Sequence, residues 1–194
     1  MNKKHCKIAV TGGIGCGKSF VCHKIEAAGF PIFYCDDEAK LVLRNDEKVK
    51  TALQELVGKE LYSDQGELNK PVMRAFLLQG KAHAAQVDAI VHPRVAEIFL
   101  EWAERQTTEK VFMECAILFE SGFDHFVDQV LYISAPQEVR LARVMKRDQV
   151  TKEKALQWME LQMSEEEKER RSDFTLINDG EADIETQLHE ILGD

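Results

Sequence analysis

At positions 12–19 the chain reads Gly12-Gly13-Ile14-Gly15-Cys16-Gly17-Lys18-Ser19. This stretch matches the pattern G-x-x-x-x-G-K-[ST], in which glycines let the backbone turn tightly and point its N–H groups at phosphate oxygens. An apolar segment, Cys6–Thr11, precedes the stretch, and a helical pattern over residues 18–28 follows it. A helix N-terminus adds a favourable potential for anions. The order of strand, loop and helix therefore predicts a nucleoside triphosphate site.

The residues of this loop have separate expected roles. Lys18 can reach the β- and γ-phosphates, and the Ser19 hydroxyl can ligate Mg²⁺. Cys16 lies at a helix N-terminus, where a thiol pKa can be lowered, so we expect a reactive cysteine open to alkylation. The residues expected to bind the nucleotide here are Gly13, Ile14, Gly15, Cys16, Gly17, Lys18, Ser19 and Phe20.

The hydrophobic pattern of the whole chain predicts an α/β fold. Four more apolar segments are typical of strands buried on both faces, as in a parallel sheet: residues 31–35, 111–118, 130–134 and Phe174–Ile177. Helical patterns occupy the intervals, with a long all-helical stretch over about 37–106 in which one helix is expected to begin at His92-Pro93. We therefore expect a helical insertion after the second strand.

Composition narrows the classes of function. The chain has 194 residues and a net charge of −9, which argues against a general nucleic-acid binder, because that affinity comes mainly from neutralised phosphates. No apolar run approaches the about 20 residues that span a bilayer, and the first residues lack the apolar core of a signal peptide. The five cysteines are scattered, which disfavours a disulfide framework or structural zinc. We expect a cytoplasmic protein with no membrane partner, and a monomer is favoured.

A second group of charged residues is expected on one helix. Pro136 begins a helical pattern in which Arg140, Arg143 and Arg147 lie within about 60° of one another. The pattern indicates either a cationic stripe that stabilises charge on a phosphate or a solvated face paired with acids. Farther along, the charged stretch 164–171 is typical of a solvated helix face or a mobile lid.

Carboxylates follow the second predicted strand. Asp36 and Asp37 come at its carboxyl end, where ligands bind in open α/β sheets. Either residue could accept the proton of an alcohol during phosphoryl transfer, or could instead cap the next helix. Glu114, in the third strand, is a weaker candidate for a Mg²⁺-associated carboxylate.

Taken in order, the motifs closely resemble those of the dephospho-CoA kinases over essentially the whole chain. The resemblance rests on the phosphate loop, Cys35-Asp36-Asp37, Val91-His92-Pro93, Ile117-Leu118-Phe119-Glu120, the run from Arg140 to Asp148, and Leu176-Ile177-Asn178-Asp179-Gly180. It implies transfer of the ATP γ-phosphate to the ribose 3′-hydroxyl of dephospho-CoA. Three positions depart from the family pattern, namely Tyr34, Ala116 and Ile177.

The resemblance also implies an architecture and site residues. It implies a single P-loop kinase domain over 1–194, three-layered and similar to nucleoside monophosphate kinases. Its core would be 1–36, 107–140 and 172–194, its helical acceptor-binding insertion 37–106 and its lid 141–171. The catalytic residues would be Asp36, Lys18 and Arg147, with Arg143, Asn178 and Gly180 also on the nucleotide. ATP, Mg²⁺ and dephospho-CoA are the implied small molecules. Two alternative functions are a kinase for another small acceptor and a nucleotide switch.

Overall fold

The structure is a computed structural model that describes residues 5–193. The described chain forms two compact units. The larger comprises residues 5–33 and 103–193, and the smaller comprises Tyr34–Trp102.

The centre of the larger unit is a five-stranded sheet. Its strands are β1 (Cys6–Thr11), β2 (Ile32–Tyr34), β3 (Lys110–Glu114), β4 (Gln129–Ser134) and β5 (Phe174–Ile177), in the order β2-β3-β1-β4-β5. Strand β1 pairs in parallel with β3 and with β4, and β4 pairs in parallel with β5. Ile8 and Val10 of the central strand have no exposed surface, as expected where helices cover a parallel sheet. The predicted α/β fold with a parallel sheet is confirmed.

Nine α-helices lie among the described residues. They are α1 (Lys18–Ala27), α2 (Cys35–Asn45), α3 (Glu47–Val57), α4 (Lys70–Leu77), α5 (Lys81–Glu104), α6 (Gln137–Asp148), α7 (Lys152–Glu160), α8 (Glu165–Arg170) and α9 (Ile184–Leu192). In the larger unit α1 packs on β1, α8 on β4 and α9 on β5. No described helix has the length and apolar character needed to cross a membrane.

The third strand is shorter than the sequence predicts. Residues 111–118 were expected to be one strand, but β3 ends at Glu114. The chain then turns, with the Ser121 N–H donating to the Ile117 carbonyl at 2.9 Å and the Phe123 N–H donating to that of Leu118 at 3.0 Å. Leu118 is fully buried in this turn. The apolar run over 111–118 therefore indicates that these residues are buried. Buried residues can lie in a hydrogen-bonded turn as well as in a strand.

In the smaller unit, α5 does not begin at His92-Pro93 as predicted. It runs through Pro93 without ending. A proline removes one backbone donor from a helix interior. Here the buried stripe of Val87, Val91, Val95 and Phe99 continues at four-residue spacing on both sides of the proline. Packing of this continuous stripe outweighs one lost hydrogen bond.

Candidate active site

The glycine-rich loop joins β1 to α1, as the sequence predicts. Gly15 and Gly17 have φ angles of 82° and 92°, in the left-handed region that favours glycine. A Cβ on Gly15 would lie 2.5 Å from the carbonyl oxygen of Arg140, and one on Gly17 would overlap the side-chain amide of Asn178. The loop backbone thus passes very close to its neighbours, and only glycine fits at these two positions.

The residues that follow the glycines suit a phosphate group and a metal ion. Lys18 opens α1 and its ammonium donates to the Gly12 carbonyl at 2.8 Å, so that its charge lies against the loop. Ser19 is exposed in the first turn of the same helix, where its hydroxyl is open to a ligand. Phe20 is 51% exposed. A glycine cradle, a lysine over it and an accessible hydroxyl fit a nucleotide phosphate with Mg²⁺.

The prediction of a reactive Cys16 is wrong. Its side chain has no exposed surface. Burial raises the pKa of the Cys16 thiol, although the nearby Lys18 opposes the rise. A helix N-terminus lowers a thiol pKa only while the thiolate keeps enough solvation, and this sulfur is packed beneath the loop.

The three arginines of α6 have different environments. Arg140 is 6% exposed, packs against Gly13 and forms an ion pair with Glu165 at 3.2 Å. Arg143 donates to the carbonyl oxygen of Cys16 at 3.3 Å. Arg147 has a side chain that is 63% exposed and pairs with its neighbour Asp148 at 2.8 Å. Arg140 and Arg143 of the expected cationic stripe therefore contact the phosphate loop, whereas Arg147 lies on a solvated face.

The turn after β5 also reaches the loop. Asn178 is 6% exposed, and its side-chain amide donates to the Cys16 carbonyl at 2.8 Å. The Asn178 carbonyl accepts from Arg143 at 3.0 Å. Gly180 has a φ of 103°, and a Cβ there would lie 4.0 Å from the Arg143 guanidinium. The structure thus brings together four residues predicted to bind nucleotide, Cys16, Arg143, Asn178 and Gly180.

Two side chains at the phosphate loop, those of Gln162 and Glu165, were not predicted from the sequence. The side-chain oxygen of Gln162, between α7 and α8, accepts a hydrogen bond from the Ile14 N–H at 2.8 Å. Glu165, the first residue of α8, accepts from the Tyr132 hydroxyl at 2.7 Å and from the Lys168 ammonium at 3.2 Å. Lys168 is fully buried, so the prediction of a solvated face for 164–171 is wrong on this side of the helix. The only local signal was the three-residue spacing of Glu165 and Lys168.

The electrostatics of Glu165 follow from these contacts. Burial alone would raise the pKa of its carboxyl group. The hydrogen bond from Tyr132 and the charges of Lys168 and Arg140 outweigh burial and hold the pKa below its ordinary value. Burial and the hydrogen bond to Glu165 raise the pKa of the Tyr132 hydroxyl. Glu165 is therefore an anion beside the phosphate loop at neutral pH.

In the smaller unit, Asp36 and Asp37 lie within the first turn of α2. The residue before that helix is Tyr34, and no side chain caps it. The capping interpretation of the two aspartates is therefore wrong. Asp37 instead forms an exposed ion pair with Lys40 at 2.7 Å.

Glu114, the weaker metal candidate, is the last residue of β3 and lies opposite Val10 of β1. The described residues contain no group of three or more His, Cys, Asp or Glu side chains that could hold a metal ion.

The larger unit defines a class of protein. A parallel sheet with β1 at its centre, a glycine loop between β1 and α1, and Lys18 and Ser19 at the start of that helix make up the phosphate-binding site of a P-loop nucleotide-binding protein. A sequence profile of the family described as Dephospho-CoA kinase matches residues 6–183. The chain belongs to the dephospho-CoA kinase family.

One curated relative and two solved structures are similar to this chain over most of its length. A protein named Dephospho-CoA kinase from Bacteroides fragilis strain YCH46 is 42% identical over 187 residues, which cover 96% of this chain and 91% of that protein. The crystal structure of TT1252 from Thermus thermophilus has a TM-score of 0.82 at 30% identity and covers 97% of both chains. A structure named dephospho-CoA kinase from Campylobacter jejuni has a TM-score of 0.68 at 24% identity, covering 96% of this chain and 95% of that one; it supports the fold.

Proposed function

We propose that this kinase transfers the γ-phosphate of ATP to the ribose 3′-hydroxyl of dephospho-CoA, giving CoA and ADP with Mg²⁺ as cofactor. The observation that carries the proposal is the family match over residues 6–183, which includes the phosphate loop and the turn after β5. The resemblance of the motifs supplies the acceptor, and the geometry of the loop supports ATP.

The phosphate loop supplies most of the nucleotide binding in this proposal. The backbone N–H groups over residues 13–19 hold the phosphates, together with the start of α1. Lys18 neutralises charge on the transferring phosphoryl group, and Ser19 is the protein ligand of Mg²⁺. When bound, Mg²⁺ neutralises charge on the phosphate oxygens. Ile14, Cys16 and Phe20 complete the nucleotide contacts.

Asp36 is the base in this proposal. It lies two residues beyond the carboxyl end of β2, and ligands of open α/β sheets bind outside the carboxyl ends of strands. Its carboxylate orients the acceptor hydroxyl and takes its proton as the phosphorus–oxygen bond forms. Asp37 pairs with Lys40 at 2.7 Å, and the proposal assigns the proton transfer to Asp36 alone.

The arginines and the last turn complete the site. Arg143 contacts the carbonyl oxygens of the phosphate loop and of Asn178, so it holds the loop against the turn that lines the adenine. Gly180 continues that turn without a side chain. Arg147 is exposed, and we propose that it meets the transferring phosphate when the lid closes.

The proposed functional regions of the chain follow the family pattern. We propose residues 37–106 as the acceptor-binding insertion and residues 141–171 as the lid, with the rest of the described chain, 5–36, 107–140 and 172–193, as the core. Closure of the lid excludes water and limits hydrolysis of ATP. We also propose that the protein is a monomer that acts on small molecules in the cytoplasm. The net charge of −9 argues against nucleic acid or an anionic membrane surface as a partner.

A coupled ADP-release assay tests the proposal. ATP and Mg²⁺ are supplied with dephospho-CoA, AMP or shikimate in separate reactions, and Lys18→Met is the control for contaminating kinases. We expect ADP release that depends on dephospho-CoA alone and is lost in the control variant. Turnover with AMP or shikimate instead would indicate another acceptor. ADP release that is indifferent to all three would contradict the proposed function and leave another acceptor or a nucleotide switch.

A further inference from the structure

The hydrogen bond between Gln162 and Ile14 involves a group that phosphate binding needs. In a phosphate loop, backbone N–H groups point at the phosphate oxygens. The Ile14 N–H already donates to the Gln162 side-chain oxygen at 2.8 Å, across 148 residues of sequence. An amide oxygen and a phosphate oxygen cannot both occupy the same donor direction. The Gln162 side chain therefore occupies one donor of the phosphate loop.

Glu165 makes a similar contact three residues later. Its carboxylate packs against Gly13, in the same loop, together with the Arg140 guanidinium. The carboxylate is held at 3.2 Å by both Arg140 and Lys168. An anion with two cationic partners at a phosphate loop has the chemistry of a phosphate group.

The charges around Glu165 do not balance. Arg140 and Lys168 have side chains that are 7% and 0% exposed, so two buried cations share one carboxylate. The buried Nε of Arg140 makes no hydrogen bond with any residue that the structure describes. An unsatisfied buried donor and an excess of positive charge favour the arrival of a further or more highly charged anion.

We propose that Gln162 and Glu165 form a plug on the phosphate loop, which is displaced when the triphosphate of a nucleotide binds. The inference rests on the proposed use of this loop for ATP. Displacement frees the Ile14 N–H, and it frees Arg140 and Lys168 to face the phosphates. Because the plug must open before the nucleotide enters, it reduces the apparent affinity for ATP.

Calorimetric binding of ATP with Mg²⁺, in the absence of any acceptor, tests the plug. Gln162→Ala removes the competing oxygen and is expected to lower the Kd about 3- to 10-fold, since one hydrogen bond is at stake. Gln162→Glu keeps the oxygen and adds a charge that suits the cationic cluster, so its Kd is expected to rise. Glu165→Gln is expected to lower the Kd. Glu166→Gln removes an exposed carboxylate one residue away and is the matched control, expected to bind as wild type.

Titration with tripolyphosphate separates the plug from contacts to the base. The same order of affinities is expected with this probe, because the plug competes with phosphate oxygens. Weaker binding by Gln162→Ala, or equal binding by wild type and all variants, would overturn the plug. If Glu165→Gln fails to fold, the two Gln162 variants carry the test. If the wild-type protein does not bind ATP at all, both the nucleotide assignment and the plug are overturned. The absence of any titration heat distinguishes this outcome from failure of the plug alone.

Discussion

The side-chain amide of Asn178 donates a hydrogen bond to the carbonyl oxygen of Cys16 over 2.8 Å. This contact joins the end of β5 to the last part of the phosphate loop. Arg143 donates to the same carbonyl and to the Asn178 carbonyl, so the loop, the turn and α6 form one hydrogen-bonded group. The alignment of the loop N–H groups thus depends on residues far from it in sequence.

Replacing Asn178 is expected to weaken both the fold and the nucleotide site. Asn178→Ala leaves a buried loop carbonyl with one donor fewer, at a cost of about 1–3 kcal/mol in the free energy of unfolding. We expect a higher Kd for ATP as well, measured by calorimetry beside urea unfolding. Gln187→Ala is the control, because Gln187 binds the N–H and carbonyl of Ile177, the residue before Asn178, and has no hydrogen bond to the loop. Its stability should fall while its ATP affinity stays at the wild-type value.

The two aspartates of α2 are expected to differ sharply in catalysis. Asp36→Asn removes the proposed base, and kcat is expected to fall about 10²- to 10⁴-fold with little change in ATP affinity. Asp37→Asn removes only an exposed ion pair with Lys40, which contributes little. Steady-state kinetics with saturating dephospho-CoA measures both. Wild-type turnover by Asp36→Asn would remove the base assignment.

Substitutions of Arg143 and Arg147 are expected to change different properties of the protein. Arg147→Ala should lower kcat about 10²-fold or more without changing the melting temperature, because its pair with Asp148 is exposed. Arg143→Ala should lower ATP affinity and the melting temperature together, because it removes hydrogen bonds to the loop and to Asn178. Thermal unfolding and kinetics on both proteins give the comparison. If Arg147→Ala kept full activity, the lid would act without this arginine.

In the smaller unit, the contribution of Asp46 to the stability of the fold is expected to depend on pH. It caps α3 by accepting from the N–H groups of Lys48 and Val49, and Arg94 donates to it at 2.7 Å. Burial would raise the pKa of the Asp46 carboxyl, but the Arg94 and backbone hydrogen bonds hold it below its ordinary value. Its stabilising contribution is therefore present above about pH 4 and is lost as the pH falls through the lower folded-state pKa.

The measurement is urea unfolding of wild type and Asp46→Asn between pH 3 and pH 7. The variant is expected to be less stable at pH 7 by about 1 kcal/mol, because asparagine still caps the helix but loses the ion pair with Arg94, and the difference should narrow toward the acid end. Glu55→Gln removes an exposed carboxylate from the same helix and should follow the wild-type profile. A difference for Asp46→Asn that stayed constant across the range would contradict the assigned pKa direction.

Local signals in the sequence predicted much of the fold. Segments Cys6–Thr11 and Phe174–Ile177 have the predicted bounds, because the glycine-rich loop after the first and Asn-Asp-Gly after the second are strong signals for the end of a strand. The path of α5 through Pro93 was not predicted, because the stripe that stabilises it outweighs the local signal of a proline.

The candidate site was predictable only in part. The phosphate loop could be found because its chemistry lies within eight consecutive residues, 12–19. The contacts of Gln162 and Glu165 with that loop span about 150 residues, and Glu165 belongs to a charged stretch whose sequence is typical of any solvated helix. The burial that raises the pKa of Cys16 likewise depends on the residues that pack around it. Neither long-range contacts nor burial of one sulfur can be read from local spacing.

The most direct test of the central claim is the site of phosphorylation. The protein is incubated with ATP, Mg²⁺ and dephospho-CoA, and the product is examined by phosphorus NMR and mass spectrometry. We predict one new phosphate monoester on the ribose 3′-hydroxyl, in an amount equal to the ADP formed, and none with Lys18→Met. Recovery of unmodified dephospho-CoA, or a phosphate on another oxygen of the molecule, would contradict the proposed function.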